Sequence, residues 1–552
     1  MPTFPAIMGC EWEIPFLYAP GNDFLSSANE ILQSEDDEDD TPSGIVACIQ
    51  SVMEEVCRKY DAVPFDPYDL YSSGSYCRLG RAYRDGGLIE ISSLRYNDPY
   101  TLAKYIGVMH CAVGAAVRAV AERNGHEIHA AYAAVSDRHN TSSGVHANYL
   151  LNRKTFTPLF APQKTKTTHT LDPAACNLIS ALICFKLLTG AGKKGREYLC
   201  RRRNNIRSFR SSPFFYQIDE RADFIEYAVS RHSTNQRGII HTRDEPHADS
   251  NLFARTHIIN QNGNIAPVST ILAYGLPAVL LMAFEDKAFS LDWEFPNPVR
   301  ALRIISRDIF FERVIRVWNR QDGRLEPKKP LDLLEDILQK LLRYCSDVSG
   351  IIPSWCEEVV RQALDIFGYL KREGPLGEAS RKIDWCIKLA LLSGKIRSCG
   401  LNPWDISSWQ NEPLSSKLLN LDLEYHRLDK RNVLAILVNR GRIELGEKYI
   451  QLDPAVLLPD SPIWKEIYPN QTLDHLFLFC TQHPLLKKYF QVYNWDNLFF
   501  QDGDFAASLV FGDPRRFGRD ELDALMAGNS DFSSFEKRLN FVRMLSAACH
   551  KN

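Results

Sequence analysis

Residues 236–259, QRGIIHTRDEPHADSNLFARTHII, crowd three arginines and three histidines together with acids into a stretch that otherwise reads as strand. Opposed charges packed this closely are costly unless they pair or meet a ligand. Arg237 and Arg243 lie six apart, so on a regular strand they share a face, and Arg255 and His257 share one in the same way. Fixed guanidiniums stabilise the charge that develops in phosphoryl transfer while a metal bridges the phosphates. The segment therefore reads as one wall of a nucleotide-metal site. Asp244-Glu245-Pro246 breaks the strand as a turn whose acids pair locally; the turn is structural and the flanking arginines are functional.

Other segments supply the opposite charge. Glu11 and Glu13 sit two apart in IMGCEWEIPFLY, residues 7–18, whose alternation predicts a strand, so both carboxylates leave one face. For an isolated Glu-x-Glu pair an exposed strand face is the commoner explanation; otherwise a cation or an arginine must sit between the charges. Glu90 follows the turn Asp85-Gly86-Gly87 in GRAYRDGGLIEISS, residues 80–93, which reads as a hairpin. His146 and Asn148 share a face of the strand-like SGVHANYLL, residues 143–151. The pairs Glu11/Glu13, His146/Asn148 and Arg255/His257, with Glu90, fall on separate strands of one antiparallel sheet, and together they are far more specific than any one of them. Hard oxygens with an occasional imidazole suit magnesium or manganese better than zinc. Asp85, beside Arg81 and Glu90 at the mouth of such a site, is the candidate to take a proton or orient a nucleophile; an ordinary turn aspartate is the competing reading.

The elements that must position these groups read as α+β. TLAKYIGVMHCAVGAAVRAVAERNG predicts a long amphipathic helix ending in Asn-Gly, and a second helix is expected around 174–189. Strands follow through 259, and the chain is expected to be mainly helical from about 300. TGAGKKG, residues 189–195, follows a helix rather than a strand and is not a phosphate-binding P-loop by context; no GxxxxGK[ST] occurs. The basic run from Lys193 to Arg210 reads as solvated surface or as a recruiter of an acidic partner chain. Six consecutive acids in SEDDEDDTPSG, residues 34–44, cannot pack in a core, so residues 24–60 are expected to form a solvated, mobile loop.

Composition excludes other classes. With 552 residues and a formal net charge of -3, the chain can bury a large core and gives no argument for nucleic-acid binding. Its 14 cysteines are scattered with no CxxC pair, as expected of reduced thiols in a cytoplasmic protein. The start, MPTFPAIMGCEWEIPF, lacks the features of a signal peptide. APVSTILAYGLPAVLLMAF, residues 266–284, holds Gly275 and Pro277 and ends at Glu285 and Asp286, which predicts a buried helix rather than a membrane span.

In order along the chain stand MGCEWE, RAYRDGG, IEISS, SSGVHANYL, LLTGAGK, the RDEPHAD segment, NPVRALRIISRD, KIDWCIKLALL and LDLEYHRLD. Together they closely resemble the Pup ligase and depupylase (Pup deamidase) family. The resemblance implies a glutamine-synthetase-like fold: a curved antiparallel sheet backed by helices over residues 1–435, and a smaller C-terminal domain over 436–552. It implies ATP and Mg2+ as cofactors, with Glu11, Glu13, Glu90, His146 and His257 around magnesium. Asn148, Arg255, Arg237, Arg243 and Arg81 would serve the nucleotide phosphates or the modifier's terminal glutamate. Asp85 would be the catalytic aspartate, with Arg237 and Arg243 beside the chemistry. The implied partner is a small disordered Pup-like modifier and its conjugates, in a proteasome-linked pathway, with no nucleic acid and no membrane. Ala147 stands where the family usually carries a glutamate, and LIEI replaces HPEY, so the resemblance implies a divergent member. FYQIDERADFIEYAV, residues 215–229, resembles the depupylase version of its region. The 71 residues between Glu13 and Asp85 also leave room for a depupylase-type loop. The expectation is a hydrolase of a Pup-like isopeptide bond or C-terminal glutamine amide; the alternatives are a ligase acting through an acyl phosphate and a non-catalytic nucleotide-binding adaptor.

Overall fold

A computed structural model describes residues 7–14, 16–19, 63–64, 75–77, 80–85, 88–124, 127–133, 143–160, 171–195, 215–232, 236–429, 431–443, 445, 454–458, 460–468, 472–515 and 531–549. The acidic run at 34–40 and the basic positions from Arg196 to Arg210 lie outside them.

The strands in chain order are β1 (Met8–Ile14), β2 (Phe16–Ala19), β3 (Val63–Pro64), β4 (Ser75–Cys77), β5 (Gly80–Asp85), β6 (Leu88–Ser92), β7 (Glu127–Ala130), β8 (Val145–Asn152), β9 (Lys193–Lys194), β10 (Tyr216–Gln217), β11 (Tyr227–Ser230), β12 (Gly238–His241) and β13 (Phe253–Ile258). Nine of them form one sheet in the order β11-β12-β13-β8-β1-β6-β5-β4-β3. All its pairings are antiparallel except β11 with β12, which is parallel, so the expected antiparallel sheet carries one parallel edge. The expected strand over 7–18 divides after Ile14: β2 leaves the main sheet and pairs with β7.

β1 is the central strand of the site, and its alternation decides which way the sheet faces. Met8, Cys10, Trp12 and Ile14 are buried, while Gly9, Glu11 and Glu13 lie on the opposite face. A full register of large apolar side chains on one face, each stabilising by roughly 1.5–3 kcal/mol when buried, fixes the register, because a one-residue slip would send the carboxylates into the core. The helices behind that face are α1 (Pro99–Asn124), α2 (Arg153–Phe160), α3 (Pro173–Thr189) and α4 (Pro267–Glu285). Trp12 packs edge-on against Tyr132 at 4.7 Å and His110 of α1 at 5.8 Å, and Tyr149 of β8 donates its hydroxyl to the Tyr274 carbonyl of α4 at 2.9 Å.

α3 begins where Asp172 accepts from the Ala174 amide at 2.7 Å with Pro173 in the first turn, a standard start signal. α4 is the expected apolar helix and is buried almost throughout. Gly275 allows its close approach to a later helix: a Cβ there would stand 2.9 Å from Val359 Cγ1. Beyond residue 300 the chain is less purely helical than its sequence suggests. Trp293–Glu294, Ile315–Asn319 and Arg324–Lys328 make a small sheet, and Phe490–Asn494, Asn497–Asp502 and Phe505–Val510 make another. These strands are short and their alternation competes with aromatic residues, so period alone reads them poorly. The described cysteines are all free and mostly buried.

Candidate functional site

The polar face of the sheet carries rows of side chains set by register. Glu11 of β1 stands opposite His146 of β8 and opposite Ser92 of β6, which in turn faces Arg81 of β5. The next row sets Glu13 opposite Glu90. On the other side Asn148 stands opposite Gly9 and His257, and His257 opposite His241. All five candidate metal ligands therefore share one face, and they line one cavity of about 400 Å³ with Arg81, Asn148, Arg243 and Arg255; Arg237 is not among its walls.

Glu11, His146 and His257 converge: one ligand atom from each lies within 4.8 Å of the others. Glu11 Oε2 is 3.4 Å from His146 Nδ1 and 3.3 Å from His257 Nε2, and the two imidazoles meet edge-on at 4.8 Å. Glu11 Oε1 accepts from Arg255 Nη1 at 3.0 Å. The carboxylate thus divides its work, one oxygen held by a guanidinium and the other turned to two ring nitrogens. Burial alone would raise the Glu11 pKa, but Arg255 and the flanking imidazoles outweigh it and hold the carboxyl well below the usual range. Burial pushes His257 down to about 3, so its ring is neutral. A neutral imidazole nitrogen facing an ionised oxygen is an arrangement that a cation completes. Ligands at about 2.1 Å from one ion lie roughly 3.0–3.5 Å apart, which the two observed separations match. Two further polar atoms, Asn148 Oδ1 and His257 Nδ1, are buried without a hydrogen-bond partner. Glu13 and Glu90 sit one row further along and add charge without joining the closest cluster.

Gly144 is required by this packing. Its amide donates to Glu13 Oε2, and a Cβ there would stand 2.7 Å from His146 Cε1 and 2.8 Å from the Glu13 carboxyl carbon.

The RDEPHAD segment forms the rim. β12 stops at His241, so the regular strand that would align Arg237 with Arg243 is interrupted between them. Arg237 precedes β12, and its carbonyl accepts from the Glu226 and Tyr227 amides. Arg243 lines the cavity mouth, 67 % exposed, and pairs with Glu245 at 2.5 Å; Glu245 also reaches Arg255 at 3.3 Å. The acids of the turn thus tie the arginines together, and Asp244 pairs with Arg153. His241 is held as one tautomer: its Nε2–H donates to the Arg231 carbonyl at 3.0 Å while Nδ1 accepts from the Arg243 amide at 3.2 Å. Asp85 ends β5 opposite Leu88, two positions on from Tyr83, which is paired with Glu90. Its backbone therefore continues the row parity of Arg81 and Glu90.

Several walls escaped the sequence. His241, His247, Ser92, Ser93, Arg95, Trp495 and Pro514 also line the cavity. The strand period could have found His241, which alternates with the buried Ile240, and Ser92, which shares a face with Glu90. Nothing local could have joined Trp495 to residues so distant in the chain. Arg221 is a further find: it is 1 % exposed, its Nη1 donates to the Ile259 carbonyl, and burial with the nearby Arg237 charge lowers its pKa to about 10 despite Glu13.

A sheet face bearing a carboxylate, two imidazoles and fixed arginines has the donor set that could hold a hard divalent cation beside an anionic ligand. A family model described as Pup-ligase protein matches residues 64–460, and the chain belongs to that family. Curated relatives carry both of the family's activities in their names. A depupylase of Acidothermus cellulolyticus is 30% identical over 320 residues, covering 56% of this chain and 54% of that protein. A Pup deamidase/depupylase of Mycolicibacterium smegmatis is 29% identical over 372 residues, 66% of this chain and 64% of its own length. A Pup–protein ligase of Kineococcus radiotolerans is 27% identical over 329 residues, 59% of this chain and 62% of its length. The chain thus matches between about half and two thirds of the length of these relatives. Among solved structures, the Pup ligase PafA in complex with Pup superposes with a TM-score of 0.65 at 21% identity, covering 98% of this chain and 95% of that one. PafA in complex with ADP gives a TM-score of 0.62 at 21% identity, covering 88% and 92%. The α+β fold is that of the Pup ligase.

Proposed function

We propose that this protein is a nucleotide- and magnesium-dependent cytoplasmic enzyme of a Pup-like modification system that hydrolyses the modifier's isopeptide bond or C-terminal glutamine amide. The observation that carries the reading is the Glu11–His146–His257 cluster, with one Glu11 oxygen anchored by Arg255 and the other facing two imidazoles. Magnesium held by Glu11, His146 and His257, with Glu13 and Glu90 adding charge, would neutralise phosphate oxygens and polarise the bonds beside them. Arg255, Asn148 and Arg81 would orient the nucleotide, and Arg243 at the mouth, with Arg237 behind β12, would add positive charge there. Asp85, at the end of β5 beside the row of Glu90, would take the proton of the attacking water or orient it toward the amide carbon. The hydrolytic direction is supported by the two relatives named for depupylation at 30% and 29% identity and by the FYQIDERADFIEYAV segment. The runner-up is ligation of the modifier's terminal glutamate to a substrate lysine, favoured by relatives named as ligases and by the fold match to PafA.

The test incubates the full chain with Mg2+, ATP and two substrates: a Pup-like modifier ending in glutamine, and a modifier–lysine conjugate. The expected outcome is release of ammonia or of the free target while nucleotide stays largely unspent. Conjugate formation with one nucleotide consumed per bond would instead establish the ligase, and neither reaction would leave only the adaptor.

A further inference from the structure

β13 carries Arg255 and His257, yet the sheet holds its far end on one side more firmly than on the other. It is in register with β8 along its whole length but with β12 only at His257 and Ile258. Past Ile259 the chain leaves the sheet as the irregular loop Asn260-Gln261-Asn262-Gly263-Asn264, whose polar side chains are at most 3% exposed. Loops usually run over the surface because buried backbone polar groups need partners, so this one must be satisfied from within. Gly263 fits the path only without a side chain: a Cβ there would stand 2.8 Å from Ala133 Cα.

The partners come from QIDER, residues 217–221, and from segments behind it. The Ile259 carbonyl accepts from Arg221 Nη1, and the Asn260 carbonyl from Lys186 Nζ of α3. Asn262 Oδ1 accepts from the Glu220 amide at 2.7 Å, and the Gly263 amide donates to Glu220 Oε2 at 3.1 Å. The other Glu220 oxygen, Oε1, faces His426 Nε2 at 3.2 Å and Lys388 Nζ at 3.8 Å. Lys388, on the helix Asp384–Ser398, also donates to the Gly192 carbonyl and pairs with Asp422 at 2.8 Å. The LLTGAGK, KIDWCIKLALL and LDLEYHRLD segments thus meet on one ammonium, and Glu220, Lys388 and His426 are all buried. Burial alone would raise the Glu220 pKa, but His426 and Lys388 outweigh it and bring it to about 2, so the carboxylate is ionised.

A buried ionic network is a poor source of stability, since apolar side chains of similar volume often do as well or better. Nor does Glu220, Lys388, His426 or Asp422 line the cavity. We propose that Glu220 and Lys388 are positioning residues for the cation site: they fix the exit of β13 and through it the His257 ring. The inference rests on the reading of Glu11, His146 and His257 as that site. His257 lies two residues before Ile259, whose carbonyl Arg221 holds, and six before Gly263, whose amide Glu220 holds, so a loosened loop displaces the imidazole directly. Groups that orient a ligating imidazole without touching the metal are worth roughly ten- to a hundredfold in metal affinity.

The experiment measures Mn2+ binding to the full-length protein by electron paramagnetic resonance, with thermal unfolding recorded for each variant. Glu220→Gln keeps the side-chain size and an oxygen for the Gly263 amide but removes the charge; it is expected to weaken Mn2+ binding roughly tenfold while the protein stays folded. Spin-echo modulation from imidazole nitrogen is expected from both His146 and His257 in the wild type and to lose the His257 share in Glu220→Gln. Lys388→Met is expected to act in the same direction. The double variant removes one charge of each sign, folds even where Lys388→Met alone does not, and is expected to lose no more affinity than the single variants, because both act on one loop. Leu341→Ala, a truncation in the core outside the cavity and the network, is expected to lower the unfolding temperature and leave Mn2+ affinity and nitrogen coupling unchanged. Wild-type affinity in Glu220→Gln overturns the positioning role, and so does an equal loss of affinity in Leu341→Ala. Unchanged coupling from both imidazoles in Glu220→Gln overturns the route through His257. A wild-type protein that binds no Mn2+ overturns the cation reading itself.

Discussion

Replacing Glu11 by glutamine keeps the side-chain shape and deletes the charge that three neighbours are arranged around. Glu11 and Arg255 are 15% and 10% exposed, so their pair is mostly withdrawn from water. Removing one partner of such a pair leaves an uncompensated charge, which costs about 3–5 kcal/mol. Glu245 still reaches Arg255 at 3.3 Å but is 41% exposed, so it offsets part of the loss, and about 2–3 kcal/mol is expected at neutral pH. The pH dependence carries the sharper sign. Because the folded-state pKa of Glu11 lies well below its ordinary value of 4.5, its contribution is fully present above about 4.5 and is lost as pH falls through the folded value. Urea unfolding of wild type and Glu11→Gln in metal-free buffer should therefore show a gap at pH 7 that narrows below pH 4.5. Equal stabilities at pH 7, or a gap that stays constant into acid, would refute the idea that an ionised, buried Glu11 organises this cluster. The same variant should weaken Mg-nucleotide binding; unchanged binding would remove Glu11 from the ligand set.

Other substitutions probe different links. Asp85→Asn should abolish turnover in the amide-hydrolysis assay while sparing nucleotide affinity, and normal turnover would remove Asp85 from the chemistry. Gly144→Ala should push the His146 ring and the Glu13 carboxyl aside, lowering divalent-cation affinity at least tenfold by titration with little change in secondary structure by circular dichroism. His110 is buried, and burial pushes its pKa down to about 3, so it stays neutral in the folded chain while the unfolded chain takes up a proton below about 6.5. Wild type should lose about 2 kcal/mol between pH 6.5 and pH 5 through this group, stability falling as pH falls; His110→Phe, which also removes a buried Nε2 without a partner, should lack that component of the slope in pH-dependent unfolding.

Much of the floor was legible because strand period and register are local rules. Glu11 and Glu13 could be assigned to one face from Met8, Cys10, Trp12 and Ile14 alone, and the same parity joined His146 to Asn148 and Arg255 to His257. Register across strands was not legible, so nothing in the sequence distinguished the tight Glu11–His146–His257 cluster from Glu13 and Glu90 one row away. The Arg237–Arg243 spacing misled because β12 ends at His241, where the turn takes over. The Trp495 wall was invisible for another reason: it depends on contacts between segments far apart in the chain, to which no periodicity speaks. The parallel β11–β12 edge joins strands close in sequence, where an antiparallel hairpin is the usual expectation. The hairpins after residue 300 were lost among helices whose apolar pattern is stronger.

The central claim is that Glu11, His146 and His257 hold one divalent cation against the nucleotide. The most direct measurement is an anomalous-scattering crystal structure of the full chain with Mn2+ and ADP. A single strong peak within bonding distance, about 2.0–2.3 Å, of the Glu11 carboxylate and of both imidazoles is the predicted result. Manganese bound elsewhere, with Glu11 still turned to His146 and His257 across an ion-free gap, would contradict it.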